Sequence, residues 1–145
     1  MSGNSSIAAI EDEIVEEFSL FDNWEDKYEY LIDMGKKLSK LEDANKKDEN
    51  KIRGCQSTVW MVSDYKDGKI FYQADSDAMI VKGLISMLIR VFSGQKPSDI
   101  IAADMKFIDE IGMSTHLAQT RSNGLRSMIT QMKLDAMAWA SKDNN

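Results

Sequence analysis

The chain has one cysteine, one histidine and one proline in 145 residues, and each scarcity removes a class of answer. A lone cysteine cannot close a disulfide within the chain. One Cys with one His offers too few soft ligands for a structural zinc or an iron–sulfur cluster. The protein itself is therefore expected to bind no metal, and a reducing, cytoplasmic setting suits the free thiol. Positive charge is short as well: 18 Lys and Arg stand against 24 Asp and Glu, for a formal net charge of -6. Without a basic excess there is little to release counterions from a phosphate backbone, so nucleic acid is not an expected partner. Long apolar runs are missing. The most apolar stretch, 78 to 92, includes Lys82 and Arg90 and falls short of the roughly 20 residues that cross a bilayer. The N-terminal stretch MSGNSSIAAIEDEIVEEF has neither a basic start nor a long apolar block, so no signal peptide and no membrane partner are expected.

What is present fits a globular domain: 43% hydrophobic and 29% charged residues. The length predicts a single domain over 1–145, with a core from about 7 to 140, that buries roughly two thirds of its unfolded surface. Ser5 or Ser6 can cap a helix carrying Ile7, Ile10, Ile14 and Phe18 on one stripe. A second helix starts at Asp22 or Asn23 and runs to about Leu38, with Trp24, Tyr28, Leu31 and Ile32 on one side. Residues 39 to 50 are polar and aperiodic and read as a mobile surface connection. The runs TVWMV and KIFYQA flank Asp67-Gly68, which predicts a hairpin turning at 66 to 68. Asn50 to Arg53 is the candidate for a third strand. A central helix capped by Ser76 or Asp77 should run to about Ser93, a further one from Ser98 or Asp99 to Ile111, and a last one from Ser122 or Asn123 past Trp139. The order predicts an α+β fold: a small three-stranded antiparallel sheet with helices packed over it.

Cys55, in KIRGCQSTVW, supports two readings. A free cysteine is often a small buried hydrophobe. Against that, Gly54 permits a tight turn, and Lys51 and Arg53 bring positive charge that favours a thiolate, while an apolar pocket would oppose it. His116 could in principle form a nucleophile pair with Cys55, although a capping or packing role also suits its place at a helix junction. Asp75 and Asp77, alternating in ADSDA, resemble paired carboxylates, yet a helix N-terminus explains them as well. Arg121 suits a local salt bridge or an interface. The ten methionines fall mostly at core spacing and read as packing.

Taken together, GCQSTVW at 54 to 60, ADSDAMIVKGL at 74 to 84 and HLAQTRSNGL at 116 to 125 resemble the SufE family of sulfur acceptors, in the family's order and spacing. The chain departs from that pattern at KLSKLEDANKK and at Ala118 and Gln119, where the family often has proline. The resemblance implies a fold like that of the iron–sulfur scaffold proteins. It also implies a protein that accepts sulfane sulfur from a pyridoxal-phosphate cysteine desulfurase, stimulates that enzyme, and passes the sulfur to an iron–sulfur scaffold complex. In this reading Cys55 forms a persulfide, no cofactor is held, and the chain is a sulfur-transfer partner rather than a stand-alone enzyme. Arg121, Asp75, Asp77, Gly54, Gln56 and His116 would shape the cysteine's neighbourhood or the docking face, and a homodimer is allowed. With no second cysteine, a persulfide could not discharge into an internal disulfide and its sulfur would have to leave to a partner. Two other readings stay open from the residues: an adaptor with a structural Cys55, and a Cys-His hydrolase.

Overall fold

A computed structural model describes residues 6–113, 117 and 119–143, the last stretch as backbone alone at 119–122 and 143. Helix α1 (Ile7–Ser19) is capped by Ser6, whose Oγ accepts a hydrogen bond from the Ala9 amide at 3.1 Å. Helix α2 (Trp24–Lys36) is capped by Asn23, whose Oδ1 accepts from the Asp26 amide at 2.9 Å, and Glu25 and Asp26 favour its positive end. Strands β1 (Val59–Lys66) and β2 (Lys69–Ser76) pair antiparallel in one register. Their turn, Asp67-Gly68, has φ of 55° and 80°, the left-handed pair that matches strand twist in a two-residue hairpin. Helices α3 (Met79–Phe92), α4 (Pro97–Ala102), α5 (Phe107–Glu110) and α6 (Gln119–Asp143) follow.

The sheet differs from the expected one: it has two strands. Asn50 to Arg53 contributes a single bridge, Lys51 to Trp60. A 3-10 turn at Asp48–Asn50 precedes it and the chain turns at Gly54, with φ of 91°, which leaves no length for a strand. The expected helix from 98 to 111 is also broken. Pro97 opens α4 at its first position, where a missing N–H costs nothing. The chain then leaves the helix at Ala103, and Met105 takes a left-handed φ of 60°.

Helix α3 lies at the centre, against α1, α2, α6 and β2. Leu84, Ile85, Met87, Leu88, Val91 and Phe92 are completely buried, and each such side chain contributes about 1.5–3 kcal/mol relative to exposure. Helices α2 and α3 cross at glycines: a Cβ on Gly83 would stand 2.7 Å from the Leu31 carbonyl carbon, and one on Gly35 would stand 2.9 Å from the Gly83 nitrogen. On the sheet, Ile70, Tyr72 and Ala74 alternate into the core with Val59 and Met61. The Tyr72 hydroxyl donates to the Met132 carbonyl at 2.7 Å, fixing the long α6 beneath the hairpin. That placement sets what Cys55 meets.

Candidate functional site

Cys55 sits in the loop that returns the chain from the Lys51–Trp60 bridge to β1. At one end of its base the Ile52 amide donates to the Val59 carbonyl at 2.8 Å, and Ile52 is buried. At the other, Thr58 is clamped three times. Its amide donates to Asp77 Oδ1 at 3.1 Å, and its carbonyl accepts from the Asp77 amide at 3.3 Å and from Ser76 Oγ at 2.8 Å. Asp77 therefore does not cap α3; the cap is Ala78, with no side-chain bond to the helix amides. The carboxylate serves the cysteine loop instead.

The tip of the loop rests on α6. Gly54, at a φ of 91° that L side chains rarely adopt, faces Ser127, whose Cβ lies 3.3 Å from where a Cβ on Gly54 would be. One helical turn earlier Gly124 faces Cys55: a Cβ there would lie 3.6 Å from Sγ. The thiol is half-buried and donates to the Gly124 carbonyl at 3.6 Å. Burial pushes the Cys55 thiol above its ordinary range, and a carbonyl acceptor favours the protonated form as well. Lys51 does not reverse this, because its ammonium is held by Asp48 at 2.9 Å, and Arg53 lines a cleft on the Ser127 side. Burial, not these cations, sets the direction of the thiol's shift. In the free chain Cys55 is half-buried, and its burial and its carbonyl contact both favour the protonated thiol.

Asp75, buried near the end of β2 opposite Trp60, is held by Lys46 at 3.1 Å and Lys82 at 3.2 Å and accepts from the Ser76 amide at 2.8 Å. Burial alone would raise its carboxyl, but these donors hold it below the usual carboxylate range. Lys46 brings the stretch 39 to 50 with it, where Leu41 is completely buried. The expected mobile connection is a tethered one. Gln56 is exposed beside Cys55. Arg121 lies in the first turn of α6, which begins earlier than expected; its side chain, like the whole of His116, lies outside the described residues. The pairing of Cys55 with His116 therefore does not enter the described site.

Residue reasoning missed Gly124, Ser127, Lys46 and Lys82 as parts of this neighbourhood. Gly124 carried a signal, since a glycine inside a helical pattern costs about 1 kcal/mol against alanine and points to a close approach. The lysines carried none. No group of three or more His, Cys, Asp or Glu placed to hold a metal ion occurs among the described residues. No helix among them is long and apolar enough to cross a membrane.

Comparison with known proteins bears on this arrangement. The profile of a family described as SufE, an Fe-S metabolism associated domain, matches residues 12–136. An uncharacterized SufE-like protein of Rhizobium meliloti is 39% identical over 130 residues, 86% of this chain and 93% of that protein. One of Synechocystis is 37% identical over 126 residues, 87% of this chain and 79% of that protein. The solution structure of a hypothetical protein from Thermus thermophilus superposes with a TM-score of 0.76 over 91% of this chain and 96% of that one. At 16% identity that likeness establishes the fold alone.

Proposed function

The chain belongs to the SufE family, whose domain is associated with Fe-S metabolism, and on that premise we propose that it is the sulfur acceptor and activator of a pyridoxal-phosphate cysteine desulfurase. The acceptor is Cys55. Its thiolate attacks the outer sulfur of a cysteine persulfide on the desulfurase. A new S–S bond forms at Cys55 as the old one breaks, the donor leaves as a thiolate, and the Cys55 proton restores that thiolate to a thiol. No net oxidant is needed. Cys55 persulfide then carries the sulfur to an iron–sulfur scaffold complex. Sulfur transfer of this kind uses a thiolate nucleophile, so the covered thiol of the free chain must be uncovered by docking. Asp77 holds the base of the loop at Thr58, Asp75 ties the end of β2 to Lys46 and Lys82, Gly54 lets the tip turn, and Gln56 faces the partner.

The observation that carries this reading is the position of Cys55 at a glycine-flanked loop tip whose sulfur is held by one long thiol–carbonyl contact, above a firmly clamped base. Incubation with cysteine and a cognate desulfurase should add one sulfur to the Cys55 peptide by mass. Cys55→Ser should abolish that gain and the stimulation of sulfide release. Full stimulation by Cys55→Ser would instead favour the adaptor reading, in which Cys55 is structural.

A further inference from the structure

We propose that the cleft between the cysteine loop and α6 is a docking site for a carboxylate-bearing segment of the sulfur-donating protein, held by Arg53 and Arg126. The partner's identity rests on the sulfur-acceptor reading, whereas the cleft stands on geometry and charge. Its volume is about 370 Å³, and Lys51, Arg53 and Arg126 line it together with the single carboxylate of Glu49 and the hydroxyl residues Ser127 and Thr130. Such a cluster stands out in a chain of formal net charge -6. Lys51 is already paired with Asp48 at 2.9 Å and Glu49 with Lys47 at 3.8 Å. The two guanidinium groups are different: both residues are exposed, and among the described residues neither side chain has a hydrogen bond or ion pair.

Place and chemistry agree. Ser127 is also the residue that faces Gly54, and Gly124, one turn earlier on α6, faces Cys55, so the cleft opens about one helical turn, roughly 5 Å along the axis, from the thiol's contact. A protein that brings a persulfide to Cys55 would dock beside this cleft. Guanidinium forks match a carboxylate bidentately, and the hydroxyls of Ser127 and Thr130 can donate to a second oxygen. The net charge of -6 disfavours an acidic partner over the surface as a whole, so attraction at this cleft would help to set the register of docking.

Two measurements test the inference. The first uses the chain alone: its amide NMR spectrum is followed as hexaglutamate, hexaglutamine or inorganic phosphate is added. Hexaglutamate should shift residues 53, 126, 127 and 130 saturably, the shifts should fall with added salt, and R53Q/R126Q should remove them. Equal shifts with hexaglutamine, or tighter binding of phosphate at the same residues, would overturn the carboxylate assignment. The second uses the cognate desulfurase at low ionic strength. R53E/R126E should raise the half-saturating concentration for stimulation by about 10-fold or more, R53K/R126K by less than about 3-fold, and salt should narrow the gap. An unchanged half-saturation in the charge-reversed chain, with an intact NMR fold, overturns the proposal. If even the unmodified chain gains no sulfur at Cys55, the sulfur-acceptor reading fails and the first measurement alone decides the cleft.

Discussion

Ile52 and Thr58, at the base of the cysteine loop, are fixed by four hydrogen bonds to Val59, Ser76 and Asp77, whereas residues 53 to 57 at its tip have the turn at Arg53–Gly54 and a long thiol–carbonyl contact to α6. The base is part of the sheet. The tip leans on a helix through Gly54 and Gly124, which place no side chain between them and their neighbours. Local opening takes the least free energy where buried contacts and hydrogen bonds are fewest. The difference therefore indicates which part of the loop opens at the least cost and which part stays in place.

Replacing the tip's hinge breaks this contrast most severely. Gly54→Ala puts a Cβ at a φ of 91° and against Ser127 Oγ, which should cost about 1–3 kcal/mol in urea unfolding. Because the strain lies at the tip, Cys55 alkylation should accelerate, and Ser127→Gly in the same chain should recover part of the stability. A stable Gly54→Ala chain with unchanged alkylation would mean that the turn does not control the thiol.

Weakening the end of β2 beside the base gives a smaller effect with a pH signature. Asp75→Asn should cost about 1–2 kcal/mol near neutral pH by removing a charged acceptor from Lys46, Lys82 and the Ser76 amide. Asp75 is held below the ordinary carboxylate range in the folded chain, so its contribution is complete above the unfolded pKa of about 3.9. It is lost as pH falls through the lower folded value. The stability difference between the two chains should thus be flat above about pH 5 and shrink below about pH 4. A difference that stays constant down to pH 2 would show that the ion pairs are not its source.

The smallest change sharpens the comparison. Gly124→Ala introduces a Cβ 3.6 Å from Cys55 Sγ, an ordinary contact, and alanine is favoured over glycine in a helix by about 1 kcal/mol. Stability should be kept or raised. Sulfur acceptance should slow a few-fold, because the added methyl takes the space beside Sγ that a second sulfur would use. Faster acceptance would contradict this placement.

Much of this was legible in the residues. Asp67-Gly68 between two β-rich runs specified the hairpin, and the apolar run through Leu84 and Phe92 specified the central helix. Cys55 stood out for its glycine and its company in three linked motifs. What stayed hidden depends on contacts between distant stretches. Asp75 and Asp77 look like helix caps in sequence, because nothing local shows that Lys46 and Thr58 will arrive to use them. The break after α4 turns on Met105, which adopts a left-handed φ that methionine does not advertise. The direction of the Cys55 shift was undecidable without knowing that Lys51 turns to Asp48 while Gly124 offers its carbonyl to the thiol.

The central claim is that the free chain covers Cys55 and that a docked desulfurase uncovers it. The rate of Cys55 alkylation by iodoacetamide as a function of pH, with and without a saturating cognate desulfurase rendered inactive at its own cysteine, tests this directly. Alone, the chain should react slowly, with a midpoint above that of an ordinary cysteine, as burial of the thiol requires. With the partner bound, either the midpoint should fall or the limiting rate should rise. Equal rates and midpoints in the two states would contradict the account.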